Sequence, residues 1–222
     1  MNEQTSIEPS ISSRAQPGAS ANSARAEGDR TRAVILRAAE QLFADHGFAA
    51  TSIATVARVA GVTKSLIHHH FGSKRALWDA VKGVVMEDYG RKQQQLLAEH
   101  APNLALIEES ILSYFRFLQA HPNVTRFWNW MTIEGDREAP AVSQWLMEQG
   151  VETLRRVQAA GEMRDDIAPE YILAQVCVLV RGWFIERPIL ESNLLRETNS
   201  LECDERYLAA AMRVFLDGLR KR

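Results

Sequence analysis

The 222-residue sequence predicts an all-α protein of about nine helices. Two observations predict this class. Apolar residues recur at three- and four-residue spacing along most of the chain, between N-capping side chains and regularly placed Gly and Pro residues. No segment shows the alternation of apolar and polar residues that is typical of a half-buried strand. The predicted helices cover residues 29–46, 52–61, 63–71, 74–99, 103–120, 123–133, 140–160, 169–187 and 203–220.

The boundaries of the first four helices rest on local capping signals. Gly47 follows the last apolar residues of the first helix, where a glycine commonly ends a helix. Ser52, Thr63 and Ser73 each stand immediately before an apolar-periodic run, and their hydroxyls can accept hydrogen bonds from the free N–H groups of a first helical turn. We therefore expect three short, closely spaced helix starts after the first helix.

The charge of the chain is unevenly distributed. Residues 29–75 contain seven basic and three acidic residues, whereas residues 76–222 contain 17 basic and 22 acidic residues. A basic segment beside an acidic remainder suggests a docking face for a polyanion, with nucleic acid as the first candidate. Ordinary variation of surface charge is the alternative on this count alone. Residues 1–28 are rich in Ser and Ala without hydrophobic periodicity and are predicted to be a disordered tail.

Composition also restricts where the protein functions. The longest apolar run, residues 172–180, is well short of the roughly 20 residues that span a bilayer. The first 28 residues contain no apolar core of a secretory signal, and two cysteines are too few for a disulfide framework. We therefore expect a cytoplasmic protein without a membrane partner.

The segment 52–71, SIATVARVAGVTKSLIHHHF, predicts two short helices joined by a glycine turn. This is the arrangement of a helix-turn-helix, whose second helix enters the major groove of DNA. The chain resembles the TetR family of bacterial transcriptional regulators in this segment and around it. The resemblance is carried by ILRAAEQLFADHGF (35–48), TSIATVARVAGV (51–62), TKSLIHHHF (63–71) and GSKRALW (72–78).

The resemblance implies a homodimer that reads a palindromic operator in double-stranded DNA. It implies a DNA-binding domain at 29–75 and an effector-binding and dimerisation domain at 76–222. We interpret the chain as a repressor released by a small, mainly hydrophobic effector, with no catalytic activity and no cofactor. A DNA-binding structural or cell-division protein without an effector, or a helical enzyme, are the alternatives.

The predicted DNA contacts lie on the second and third helices and at the start of the fourth. They are Thr51, Ser52, Thr63, Lys64, Ser65, Leu66, His68, His69, His70 and Lys74. Lys64 and His68 are one helical turn apart and should share the groove-facing surface, where Lys64 can donate to guanine or to phosphate. The family usually has a tyrosine at the position of His68.

Ser65 or Leu66 could also touch a base edge, Leu66 through a thymine methyl group. The other contacts are predicted to involve the DNA backbone. His69 is expected to reach phosphate, whereas His70 either donates to phosphate or braces the helix against the core. Lys74 and the free N–H groups of the fourth helix can hold a phosphate together. The side chains of three successive histidines on a helix point in directions that span about 200°, so they cannot all bind one metal ion. We therefore predict no metal site.

The C-terminal domain is expected to provide the dimer interface and the effector pocket. The resemblance implies that helices 169–187 and 203–220 form a four-helix interface with a second copy, although both could instead be monomer core. Arg181 could bind an effector carboxylate or pair with an acidic side chain such as Glu134, and pairing is favoured. The candidate effector residues are Phe117, Phe127, Trp128, Met131, Trp145, Met147, Cys177, Arg181 and Trp183.

Overall fold

The computed structural model describes residues 17–196 and 199–221. These residues form ten α-helices and one π-helical turn and contain no β-strand, which confirms the predicted class. The helices are α1 (Pro17–Ala50), α2 (Ile53–Ala60), α3 (Lys64–Phe71), α4 (Lys74–Val84), α5 (Glu87–Glu99), α6 (Leu104–Ala120), α7 (Pro122–Ile133), α8 (Ala141–Ala159), α9 (Pro169–Leu190) and α10 (Ser200–Leu219), with the π-helical turn at Glu191–Leu195.

The capping predictions for α2, α3 and α4 are confirmed. Ser52, Thr63 and Ser73 have extended backbones, and each side chain accepts from the N–H group three residues later. Gly47 interrupts α1 with a φ of 74°, a conformation that glycine adopts without strain. A Cβ atom at Gly47 would lie 2.7 Å from the side chain of Trp130, so the close packing of α7 also requires glycine here.

The prediction of a disordered tail over residues 1–28 is wrong for its second half, because α1 begins at Pro17. Proline is favoured in the first turn of a helix, and residues 18–26 include several alanines, which have the highest helix propensity. The N-terminal part of α1 also continues a helix whose later turns are packed against the core, so no new helix nucleus has to form. Residues 1–16 of the predicted tail lie outside the described residues.

The predicted fourth helix, 74–99, is two helices in the structure. α4 ends at Val84 and α5 begins at Glu87, with Val85 and Met86 between them. Gly83 and the adjacent β-branched valines have low helix propensity. Later in the chain, α9 continues through Pro188 to Leu190 instead of ending at residue 187.

One hydrophobic core runs from the N-terminal helices into the C-terminal ones, across the predicted domain boundary at residue 75. At its centre, the ring of Phe43 (α1) meets Trp78 (α4) edge to face, with ring centroids 4.9 Å apart. Trp78 also packs on Phe127 (α7) at 4.3 Å. α4 is therefore held between the helix-turn-helix and the larger helical region. None of the described helices combines the length and apolarity needed to span a bilayer.

Candidate functional site

The recognition helix α3 presents its polar side chains on one exposed surface. Thr63, Lys64, Ser65, His68 and His69 are exposed, and we name these five residues the recognition surface. Ile67 is only 1% exposed and fixes α3 to the core. Two other predicted contacts, at positions 66 and 70, are half-buried at the edges of the surface. Ile67 and Phe71 are four residues apart, a helical spacing that predicts this inward face from the sequence.

The imidazole of His68 has a defined hydrogen bond. Its Nδ1 lies 2.9 Å from the backbone carbonyl of Gly72, which can only accept, so Nδ1 donates. In the neutral ring, Nε2 is therefore an acceptor. It can accept from a base amino group directly, but it can donate to a phosphate only after binding a second proton. In the part of the chain described, no group of three or more His, Cys, Asp or Glu side chains could hold a metal ion.

The structure places Thr51 away from the recognition surface. Thr51 is 3% exposed, and its hydroxyl donates to the carbonyl of Gly47 at 2.8 Å, with the carbonyl of Leu42 at 3.2 Å. The hydroxyl thus ties the end of α1 to the start of α2 and is not available to DNA, contrary to the sequence prediction. Ser52 is exposed and caps α2, as its sequence position indicated.

Lys74 is more constrained than the sequence suggested. Its ammonium donates to the carbonyl of Ala49 at 3.2 Å and lies 4.3 Å from the centroid of the Phe48 ring. Lys74 therefore joins the start of α4 to the end of α1. The ammonium has three N–H donors, so this contact leaves donors for a phosphate at the N-terminus of α4.

A buried ionic cluster joins α4 to the loop between α7 and α8, which we name the 134–140 loop. Asp136 accepts from Trp78 Nε1 at 2.7 Å and from Lys82 Nζ at 3.1 Å. Lys82, 3% exposed, also donates to the carbonyl of Glu138 at 3.2 Å. Nothing local marked this lysine as buried, because its partner lies 54 residues away in sequence.

Asp136 is stabilised as a carboxylate. Burial by itself would raise its pKa, but the hydrogen bonds from Trp78 and Lys82 outweigh burial, and the pKa lies below its ordinary value. The corresponding stabilisation is present above the ordinary pKa of an aspartate and is lost as pH falls through the lowered pKa. The same loop contacts the helix-turn-helix through Glu134, whose carboxylate accepts from Ala49 N–H at 3.0 Å.

A cavity of about 200 Å³ lies between α5, α6, α7, α8 and α9. Met86 lines it from the α4–α5 junction and Ala139 lines it from the 134–140 loop. Most of its wall is aliphatic, formed by residues that include Ile107, Ile111, Leu146, Leu154, Leu173 and Val176. Such a mainly apolar space with few polar groups is typical of a small-molecule site.

Among the described residues, Arg181 is the one charged residue lining the cavity. Its Nε donates to the carbonyl of Cys177 in its own helix at 3.4 Å, and its guanidinium lies 6.0 Å from the Trp128 ring centroid. No described carboxylate lies within ion-pair distance of Arg181, so the favoured pairing with Glu134 is wrong. Glu134 stands at the start of the 134–140 loop, and its carboxylate instead accepts a hydrogen bond from the N–H of Ala49.

Two hydroxyl groups of the cavity wall lack hydrogen-bond partners among the described residues. Ser143 is 8% exposed, and its Oγ is buried without a hydrogen bond. The hydroxyl of Tyr114 likewise makes no hydrogen bond to a described residue. Burial raises the pKa of Tyr114, an effect that the positive charge of Arg181 partly offsets, so the phenol is neutral and can donate. Both residues line the cavity.

Four of the nine predicted effector residues line this cavity, namely Trp128, Met147, Cys177 and Arg181. The other five lie elsewhere. Phe117, Phe127 and Met131 are buried core residues, and Trp145 lines a shallow groove beside Arg91. Trp183 donates through Nε1 to the buried carboxylate of Asp204 at 2.7 Å. Most of these candidates are aromatic or Met side chains, and residue type alone does not separate core from cavity wall.

α9 and α10 leave apolar side chains in solvent. On α9, Tyr171, Val178 and Ile185 repeat every seven residues along one side and are 70%, 67% and 41% exposed. On α10, Leu201 and Val214 are 66% and 76% exposed. Residues 169–187 are apolar on nearly all sides, a pattern that predicts a helix covered all round. In the described part of this chain, one side is uncovered.

Two family models match the chain. The model described as "Bacterial regulatory proteins, tetR family" matches residues 35–81. The model of the tetracyclin repressor-like C-terminal domain matches residues 111–213. The HTH-type transcriptional repressor Rv3405c of Mycobacterium tuberculosis is 38% identical over 90 residues, which are 40% of this chain and 45% of that relative. The chain thus aligns with less than half the length of this relative.

Two longer similarities extend through the C-terminal helices. The HTH-type transcriptional repressor NicS of Pseudomonas putida is 23% identical over 88% of this chain and 95% of its own length. The crystal structure of NalD, the secondary repressor of the MexAB-OprM multidrug efflux pump in Pseudomonas aeruginosa, has a TM-score of 0.63 at 20% identity and covers 88% of this chain and 98% of NalD. The aligned 88% of the chain, which includes the C-terminal helices, therefore has the fold of NalD.

Proposed function

Because this chain belongs to the tetR family of bacterial regulatory proteins, we propose that it is a dimeric transcriptional repressor in the cytoplasm. It binds a palindromic operator and is released by a small, mainly hydrophobic effector. The recognition surface is the observation that carries this proposal. It lies on a capped helix in the basic segment of the chain. Its polar side chains are exposed and form no ion pairs with carboxylates of the described chain.

The DNA contacts divide into base-reading and phosphate-binding groups. Lys64, Ser65, Leu66 and His68 face the major groove, where Lys64 donates to guanine and Leu66 can contact a thymine methyl group. A second set positions α3 by contacting phosphates through side chains or helix N-termini. That set consists of Ser52, Thr63, His69, His70 and Lys74. Thr51 is left out because its hydroxyl is buried.

A second copy of the chain covers the exposed apolar side of α9 and α10. Tyr171, Val178 and Val214 are 70%, 67% and 76% exposed. They lie on the two helices that the family resemblance assigns to the dimer interface. Two such helices from each copy form a four-helix interface. The twofold axis then presents the two α3 helices to half-sites about 34–36 Å apart.

The effector and the DNA communicate through the C-terminal end of α4, by two routes. Met86 follows α4 and lines the cavity, and Ala139 lines it beside Glu138, whose carbonyl accepts from Lys82 of α4. An effector that moves either residue changes the position of α4 relative to α1. A difference in effector affinity of ~1–3 kcal/mol between two such positions lowers operator affinity roughly 5- to 150-fold.

The first test is selection of genomic DNA fragments by the purified protein at ~150 mM salt, a concentration at which nonspecific phosphate binding is weakened. We expect recovery of an inverted repeat. Lys64→Ala should lower affinity for that repeat, because each base contact contributes ~1–3 kcal/mol. Lys92→Ala, a change of an equally exposed lysine on α5, is the matched control and should bind as the wild type does.

Either of two results would contradict the proposal. One is retention of fragments without a shared sequence, and the other is equal binding by the wild type and Lys64→Ala. An inverted repeat that no ligand can displace would instead favour a DNA-binding protein without an effector.

A further inference from the structure

Three polar side chains of the cavity wall can donate hydrogen bonds to a ligand. Arg181 carries a positive charge without a carboxylate partner among the described residues, and Ser143 and Tyr114 carry hydroxyls without hydrogen bonds to described residues. A buried polar group without a partner costs free energy, and a buried unpaired charge costs more. Protein interiors contain few such groups, so each of them calls for a partner such as water, an ion or a ligand.

We propose that the effector is a small hydrophobic monocarboxylate, whose carboxylate is bound by the guanidinium of Arg181 with the hydroxyls of Ser143 and Tyr114. This inference rests on the proposed function and names its effector class. A planar guanidinium binds a carboxylate with two parallel hydrogen bonds, for which Arg181 retains its terminal nitrogens. The aliphatic wall receives the remainder of the molecule.

The cavity itself limits the size and charge of the ligand. A volume of about 200 Å³ is somewhat larger than the roughly 150 Å³ that holds a benzene ring, so one ring with a short side chain, or a compact two-ring body, fits. No Asp or Glu lines the cavity, so nothing would offset the charge of a cationic ligand beside Arg181. A neutral ligand would leave the guanidinium charge unpaired.

The test compares ligands that differ only at the charged group. Phenylacetate, 3-phenylpropionate and 2-naphthoate are each titrated calorimetrically into the full-length protein beside the corresponding amide and primary amine, at constant ionic strength. We expect at least one carboxylate to bind roughly ten- to hundredfold more tightly than its amide, the ratio produced by hydrogen bonds to a charged group. The amines should bind most weakly.

Arg181→Gln should abolish this preference and leave the affinity for the amides unchanged within about twofold. Arg181→Lys keeps the charge without the planar fork and should retain part of the preference. Arg37→Gln changes an exposed arginine of α1 and is the matched control. Thermal unfolding of each variant without ligand establishes that it is folded. If Arg181→Gln fails to fold, Tyr114→Phe and Ser143→Ala, which should each reduce the preference, replace it.

Three results would overturn the inference: equal affinities for carboxylates and amides, a carboxylate preference that persists in Arg181→Gln, or no binding by any member of the panel. Displacement from the selected DNA repeat separates this inference from the proposed function. If amides release the repeat as well as acids do, the repressor function stands and the carboxylate class fails. If the protein selects no repeat, the proposed function fails whatever the cavity binds.

Discussion

The recognition surface and the cavity differ in how they are exposed and in what they offer a ligand. α3 is eight residues long and presents lysine, serine and histidine side chains to solvent around one buried anchor, Ile67. The cavity lies between five helices and is mainly aliphatic, with Arg181 as the one charged residue among the described residues that line it. Binding at the first site depends on neutralising exposed phosphates, whereas binding at the second depends on burying apolar surface. Salt screens exposed charges strongly and buried contacts little.

Changing the salt concentration should therefore produce the largest difference in ligand affinity between the two sites. With about six phosphate contacts per dimer, operator affinity should fall roughly 10³-fold between about 50 and about 200 mM salt. Ligand affinity for the cavity should change by less than about threefold over the same range, because the charge pair there is shielded from solvent. Fluorescence anisotropy with labelled operator and calorimetry with the ligand measure the two slopes.

A shallow salt slope for operator binding would show that few phosphates are contacted. A steep slope for the ligand would place its binding site on the exposed surface and not in the cavity.

The cluster that joins the two regions provides the next largest effect. Lys82→Ala leaves the carboxylate of Asp136 buried without its nearest cation, so the free energy of unfolding should fall by about 3 kcal/mol. Urea unfolding monitored by circular dichroism measures it. Lys92→Ala, a change of an exposed lysine, should stay within about 0.5 kcal/mol of the wild type. A loss below about 1 kcal/mol for Lys82→Ala would show that water or Arg75 replaces the missing charge.

The smallest effect is expected from Ser143 in the ligand-free protein. Its Oγ is buried without a partner, so Ser143→Ala should raise the free energy of unfolding by about 0.5–1 kcal/mol. The nearby Thr153 hydroxyl instead donates to the carbonyl of Gln149 at 2.8 Å, so Thr153→Val should lower stability by about 1 kcal/mol. Paired urea titrations measure both changes. Destabilisation by Ser143→Ala would show that its hydroxyl already has a partner in the ligand-free protein.

The sequence by itself determined the helical class, the capped starts of α2, α3 and α4, and the inward position of Ile67. These features depend on residues within one or two helical turns of one another: a capping hydroxyl serves the N–H group three residues later, and a helical face repeats every three or four residues. The same local signals did not reveal that the predicted helix over 74–99 is divided, because weak helix propensity lowers stability gradually without marking a boundary.

Only the tertiary structure decided which inward side chains form the cavity and which polar groups are already satisfied. Trp183 and Arg181 lie two residues apart on α9. Trp183 donates a hydrogen bond to Asp204 in the core, whereas Arg181 lines the cavity without a carboxylate partner among the described residues. Thr51 and Lys82 are occupied by contacts with other helices or loops, which no local pattern records. A cavity is the space that distant helices leave between them, so its lining depends on packing across the whole domain and not on spacing along one helix.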